Sequence, residues 1–192
     1  SYGGIMLTDQ QQVQLMKRRG GVGHDLSNLR PVNTLANGSK LQGETGMPLY
    51  MHRFSNSTRE VAQDNRRGAL MLSVSINHPD SDRFIDMKLD TNKVTGANVS
   101  LKITDDFMEA LNEEQDYIQT FPINLDLNNH TAFIESYLGN NIEKDKLYSL
   151  QYQNDREYKG CYAKVIDSLK LWDKLIHGAW KSAEPGVLFW DT

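Results

Sequence analysis

Residues 57–80, STREVAQDNRRGALMLSVSINHPD, decide the class of fold. Just upstream, Met47, Met51, Phe54, Thr58 and Val61 recur at spacings of 4, 3, 4 and 3, one face of a helix that runs into this stretch. Asn65-Arg66-Arg67-Gly68 breaks the pattern. Leu70, Leu72, Val74 and Ile76 then alternate with Met71, Ser73 and Ser75, which is the period of a strand. Asn77-His78-Pro79-Asp80 closes it, and His78 with Pro79 reads as the strand end.

The same alternation extends both ways. Downstream, Asp80 or Ser81 can cap a short helix through Phe84, Ile85 and Met87. Val99, Leu101 and Ile103 alternate with polar residues as a second strand. Thr104 is placed to cap a helix that opens with Asp105-Asp106 and carries Phe107, Met108 and Leu111. Upstream, Gln10 to Arg19 reads as a helix ending in Lys17, Arg18 and Arg19, where cations suit the helix dipole. Residues 22–30 read as a strand closed by Arg30-Pro31, and 32–45 as a mobile polar loop. Residues 113–160 are polar and weakly periodic, a surface excursion with one helix near 131–138. Val165, Leu169, Trp172, Ile176 and Ala179 predict a last helix, and 187–190 a buried run. Strands alternating with helices give an α/β fold.

Composition narrows the function. The 192 residues carry 21 Lys+Arg against 25 Asp+Glu, a net charge of −4, so wholesale binding to a phosphate backbone is disfavoured and no nucleic-acid partner is expected. No run of about 18 apolar residues exists to span a membrane. The single cysteine, Cys161, rules out a disulfide framework and reads as a neutral thiol. The five histidines, at 24, 52, 78, 130 and 177, share no HxxxH or HxH spacing, so no local metal site is expected. No GxSxG, strand–GxGxxG–helix or P-loop pattern occurs. The sequons at Asn37, Asn56, Asn98 and Asn129 read as chance, because no secretory signal is visible, and a cytoplasmic location is expected. The chain opens Ser1-Tyr2-Gly3-Gly4 without Met and stops straight after an apolar run, which reads as a piece of a longer protein.

Two segments hold candidate chemistry. Gly20-Gly21-Val22-Gly23 is either a helix C-cap or a place where backbone closely approaches a ligand. Arg66 and Arg67 are either solvated charges or a clamp for phosphate or carboxylate.

Four blocks carry a resemblance: KRRGGVGHDLSNLRP at 17–31, the 57–80 stretch, KVTGANVSLKITDDFMEAL at 93–111 and LWDKLIHGAWKSAEPGVLFWD at 171–191. Their sequence and order resemble the large, catalytic chain of ribonucleotide reductases, most nearly the class II, adenosylcobalamin-dependent branch. The resemblance covers nearly the whole chain outside 113–160. It implies part of the first half of a ten-stranded α/β barrel. It also implies replacement of a ribose 2′-hydroxyl by hydrogen through a thiyl radical. The family's finger-loop motif, Asn-x-Cys-x-Glu, and its redox cysteine pair are absent from these residues. Cys161 lies outside the matching blocks and takes neither role, so the 192 residues are expected to be inactive alone and to bind no cobalamin alone.

By the same resemblance, Gly21, Gln63 and Arg66 face the ribonucleotide substrate. Ser1, Tyr2, Arg30 and Lys40 face a deoxynucleoside triphosphate effector. Residues 33–45 and 63–68 correspond to the two specificity loops, the second lying between the ligands. A homodimer contact is implied for the helix at 47–62 with part of 5–19. The alternatives are a class I, metal-dependent large subunit and a stand-alone nucleotide-binding module.

Overall fold

A computed structural model describes residues 2–36, 39–40, 46–62, 68–89, 93–122, 142–154 and 157–191. The elements in chain order are α1 (Tyr2–Lys17), β1 (Gly21–Asp25), β2 (Leu35–Ala36), β3 (Ser39–Lys40), α2 (Met47–Glu60), β4 (Ala69–Ser75) and α3 (Ser81–Leu89). Then come β5 (Asn98–Ile103), α4 (Asp105–Asn112), β6 (Asp116–Pro122), β7 (Leu147–Asn154), β8 (Glu157–Asp167), α5 (Ser168–Ser182) and β9 (Gly186–Phe189).

Four strands form a parallel sheet in the order β1-β4-β5-β9. Helices fill the connections between them, as parallel pairing requires. The strand alternation sorts the two faces. Leu70, Leu72, Val74, Val99, Leu101 and Ile103 are buried in one core with Met51, Phe54, Phe84, Ile85, Met87 and Leu175 from the helices. The opposite face is small and polar. Register places Gly23 beside Met71 and Met71 beside Asn98, then Asp25 beside Ser73 and Ser73 beside Ser100. Lys102 donates across this face to Asp25 Oδ2 at 2.5 Å, with its ammonium 4.7 Å from the Trp190 ring centroid. Hydrogen bonds from Lys102 and Ser27 hold the Asp25 carboxyl below its usual range, against the opposing effect of burial. This α/β arrangement is compatible with part of a half-barrel.

Several expectations need correction. The first helix begins at Tyr2, not Gln10, because Asp9, Gln12 and Met16 pack inward and α1 lies against α2 despite Gly3 and Gly4. The first strand stops at Asp25, whose carboxylate accepts from Ser27 N at 3.1 Å and Ser27 Oγ at 2.6 Å and turns the chain. Within 32–45, β2 and β3 pair antiparallel, Leu35 with Lys40 and Ala36 with Ser39. Thr104 occupies the α4 N-cap without a side-chain cap; Phe107 N donates to Asp106 Oδ1 at 2.8 Å instead, and Asp105 N donates to Asp191 Oδ2. Most of the described residues between 113 and 160 are strand. β6, β8 and β7 form an antiparallel sheet in that order. The helix expected near 131–138 lies outside the described residues. Val165 belongs to β8, so the last helix starts at Ser168, capped by Asp167 accepting from Lys170 N. The 187–190 run is an edge strand with Phe189 and Trp190 exposed, at 58% and 60%. Cys161 is fully buried, and burial pushes its thiol up.

Candidate functional site

Parallel strands in register align their starts, and here β1, β4 and β5 open together. Gly21 is opposite Ala69, and Met71 opposite Asn98. A cleft of about 610 Å³ lies at this end. Its lining includes Gly21, Gly23, Gly68, Lys88, Gly96 and Asn98. That volume suits a small-molecule ligand.

The glycines shape it. A Cβ on Gly21 would meet Ala69 at an ordinary 3.6 Å, and one on Gly23 would meet only Met71 O at 4.0 Å. Among the described residues, packing does not demand glycine at either position. Their bareness instead leaves backbone open to whatever enters the cleft. Gly96 differs. Its Cβ would sit 2.4 Å from Ser55 O, so helix α2 presses directly on the 93–97 turn. Ser55 Oγ also accepts from Gly96 N at 2.9 Å.

Lys88 holds the same turn from the other side. Its ammonium donates to Val94 O at 3.2 Å and Ala97 O at 2.8 Å and pairs with Glu184 Oε2 at 2.5 Å. Glu184 Oε1 accepts from Val99 N. Burial lowers the Lys88 ammonium below its usual range. Lys88, Gly96 and Asn98 were given no role from sequence. The signal that could have found Gly96 and Asn98 was the KVTGAN stretch, whose glycine sits between a helix and a strand; Lys88 had none.

A second hollow lies along α1 and α2. Its lining includes Tyr2, Asp9, Leu49, His52, Arg53 and Glu60. Arg53 Nε donates to Asp9 Oδ2 at 2.9 Å. Tyr2 and Leu49 are exposed, at 66% and 49%. Behind this hollow, Gln12 Nε2 donates to Phe54 O and Thr58 Oγ1, and Gln12 Oε1 accepts from His24 Nε2 at 2.7 Å. Burial lowers the His24 imidazole, opposed by the charge of Asp9.

The expected site residues therefore divide. Gly21 lines the strand-end cleft and Tyr2 the α1–α2 hollow; the two are not brought together. Arg30 is exposed just beyond β1, and Lys40 lies in β3 opposite Leu35. Ser1, Gln63 and Arg66 lie outside the described residues, although Gly68, which ends the 63–68 segment, lines the cleft. Among the described residues, no group of three or more His, Cys, Asp or Glu is placed to hold a metal ion. No helix there is long and apolar enough to cross a membrane.

Comparison with known proteins agrees with the fold. The family model for the ribonucleotide reductase barrel domain matches residues 1–192. The vitamin B12-dependent ribonucleoside-diphosphate reductase of Thermoplasma acidophilum is 30% identical over 189 residues, 97% of this chain and 20% of that protein. The B12-dependent reductase of Mycobacterium tuberculosis is 29% identical over 110 residues, 56% of this chain and 16% of that protein. The ribonucleoside-diphosphate reductase large subunit of Vaccinia virus is 25% identical over 202 residues, 100% of this chain and 24% of that protein. The chain thus spans between a fifth and a quarter of the length of the Thermoplasma and Vaccinia relatives. The chain belongs to the ribonucleotide reductase family, as part of its barrel domain.

Proposed function

We propose that this chain forms one wall of the substrate site, together with the effector specificity site, of an adenosylcobalamin-dependent ribonucleotide reductase. The observation that carries the reading is the glycine-floored cleft at the starts of β1, β4 and β5, with Gly21 on its floor and Gly68 at its edge. Gly21 presents backbone to the ribonucleotide, Arg66 reaches it with a guanidinium, and Gln63 reads a base. Guanidinium suits phosphate because its planar fork donates bidentately. Ser1, Tyr2, Arg30 and Lys40 bind the deoxynucleoside triphosphate effector. The 63–68 loop lies between the ligands and couples their affinities, which must be reciprocal.

The substrate is a ribonucleoside diphosphate or triphosphate; the names of the relatives favour the diphosphate. The cofactor is proposed from the B12-dependent relatives, and it would supply the radical. No residue of this chain is assigned to holding it. The complete enzyme is proposed to be a cytoplasmic homodimer. The hollow on α1 and α2, with exposed Tyr2 and Leu49 in its lining, is the proposed contact. The match to the Vaccinia large subunit across the whole of this chain favours a second reading, a class I enzyme with a separate radical-generating subunit.

The test is substrate choice in the complete reductase. Arg66→Ala should weaken ribonucleotide binding and flatten the response to different deoxynucleoside triphosphates. Wild-type affinity and wild-type effector response in that variant would contradict the assignment.

A further inference from the structure

The turn that ends β4 and the chain that leaves β1 are tied together at two points. His78 Nε2 donates to Leu29 O at 2.8 Å. Asp80 Oδ2 accepts from Val32 N at 2.8 Å. These ties bracket Arg30 and Pro31. They are also tied to each other, because His78 Nδ1 accepts from Asp80 N at 3.0 Å. That bond leaves the ring proton on Nε2, where Leu29 O needs it.

The bracket is itself held. His78 is 2% exposed and Asp80 4%. The His78 ring meets Phe121 edge-on at 5.5 Å. Lys164 donates to Pro79 O at 3.1 Å and pairs with Asp82 at 3.2 Å. Thr120 N donates to Asn77 O at 3.0 Å. The antiparallel sheet therefore grips the 77–80 turn from one side, while that turn grips 29–32 from the other.

On the gripped segment, Pro31 and Val32 are buried and Arg30 is exposed. Thr34 Oγ1 donates to Pro31 O at 2.7 Å. The far end of the 33–45 stretch returns to the same place. Gly46, at φ 104°, packs so closely that a Cβ would lie 3.3 Å from Val32 Cγ2 and 3.5 Å from Arg30 O. One fixed point thus anchors Arg30 and both ends of that stretch.

We propose that His78 and Asp80 are positioning residues of the effector site, clamping the backbone on either side of Arg30 so that its guanidinium meets the effector phosphates. This rests on the effector role proposed above for Arg30, taken as a contact to the effector's phosphates. The physical rationale is preorganisation: an arginine on a fixed base loses less freedom when it binds. Neither residue touches the effector, and both act through Arg30 and the ends of the loop.

The experiment uses the complete reductase and two probes, dTTP and thymidine, which differ only in the phosphates. Dissociation constants are measured for wild type, Asp80→Ala, Arg30→Ala and the double variant. Asp80→Ala should weaken dTTP about tenfold and thymidine less than about twofold, the loss expected when a charged contact is no longer preorganised. The double variant should bind dTTP no worse than Arg30→Ala alone, because the two act through one contact. Equal losses for dTTP and thymidine, or additive losses in the double variant, would overturn the clamp and leave Asp80 a general stabiliser. Unchanged dTTP affinity in Arg30→Ala would instead overturn the phosphate role on which the clamp rests. If Asp80→Ala does not fold, Asp80→Asn replaces it. Its weaker, neutral acceptor should cost dTTP about threefold, and wild-type dTTP affinity there would count against the clamp.

Discussion

Replacing Asp80 by Asn should change how stability depends on pH, in a direction fixed by the structure. Asp80 and His78 are buried neighbours whose acidities move in opposite senses. Burial raises the Asp80 carboxyl from 3.8 to about 6, although the bond from Val32 N and the charge of Arg83 work the other way. Burial lowers His78 from 6.5 to about 4, although the bond to Leu29 O and the charges of Asp25 and Asp82 resist it. A tenfold change in proton affinity corresponds to about 1.4 kcal/mol. Each group therefore contributes a pH-dependent change of about 3 kcal/mol.

The signs differ. A raised pKa favours the fold at low pH, so the Asp80 contribution is complete below 3.8 and is lost as pH rises through about 6. A lowered histidine pKa favours the fold at high pH, so the His78 contribution is complete above 6.5 and is lost as pH falls through about 4. In the wild type the two nearly cancel between pH 4 and 6. Asp80→Asn keeps an acceptor for Val32 N and removes one of the two titrations. Its stability relative to wild type should fall by about 2 kcal/mol on going from pH 6.5 to pH 4. His78→Gln should move the opposite way, gaining about 3 kcal/mol relative to wild type over the same range. Urea unfolding at a series of pH values measures both differences, and every other titrating group is shared. Differences that stay flat with pH, or that run in the same direction for both variants, would refute the reasoning.

Further outcomes follow from packing. Phe84 is fully buried in the core, and Phe84→Ala should cost about 3–5 kcal/mol in urea unfolding. Gly96→Ala forces a Cβ to within 2.4 Å of Ser55 O. It should destabilise by about 1–3 kcal/mol and weaken ribonucleotide binding, read by calorimetry. Cys161 is fully buried with its thiol pushed up. It should resist iodoacetamide at pH 8 in the native protein and react once urea unfolds it, with mass spectrometry as the readout.

Strands β4 and β5 were legible because their apolar residues alternate; in β4 that alternation is also the burial pattern, whereas in β5 Ser100 and Lys102 are buried as well. The antiparallel sheet was not, because polar residues occupy its inward positions. Gln119 is fully buried and donates to Ile76 O and Ser81 Oγ, and Lys164, 6% exposed, donates to Pro79 O. Pattern alone takes such residues as exposed, so the alternation disappears. Asn37-Gly38 is a strong hairpin signal, yet the polar residues around it read as loop, while Leu35–Ala36 and Ser39–Lys40 pair. The start of α1 was hidden by Gly3 and Gly4, whose low helix propensity is overridden by packing on α2. The cleft was partly legible, since Gly21 was singled out from its glycine run. The Lys88–Glu184 pair was not, because nothing local in the sequence joins residues so far apart. The clamp around Arg30 was missed for a different reason. His78 was read as a strand end, which it is, and only the fold shows what that strand end touches.

The most direct test of the reductase assignment is ribonucleotide reduction by the complete protein, supplied with a dithiol, with and without adenosylcobalamin. Deoxyribonucleotide should form only when the cofactor is present, with a base preference set by the added deoxynucleoside triphosphate. Reduction that needs no cobalamin but requires a metal-loaded partner subunit would contradict the class II assignment. No reduction under either condition would contradict the reductase reading itself.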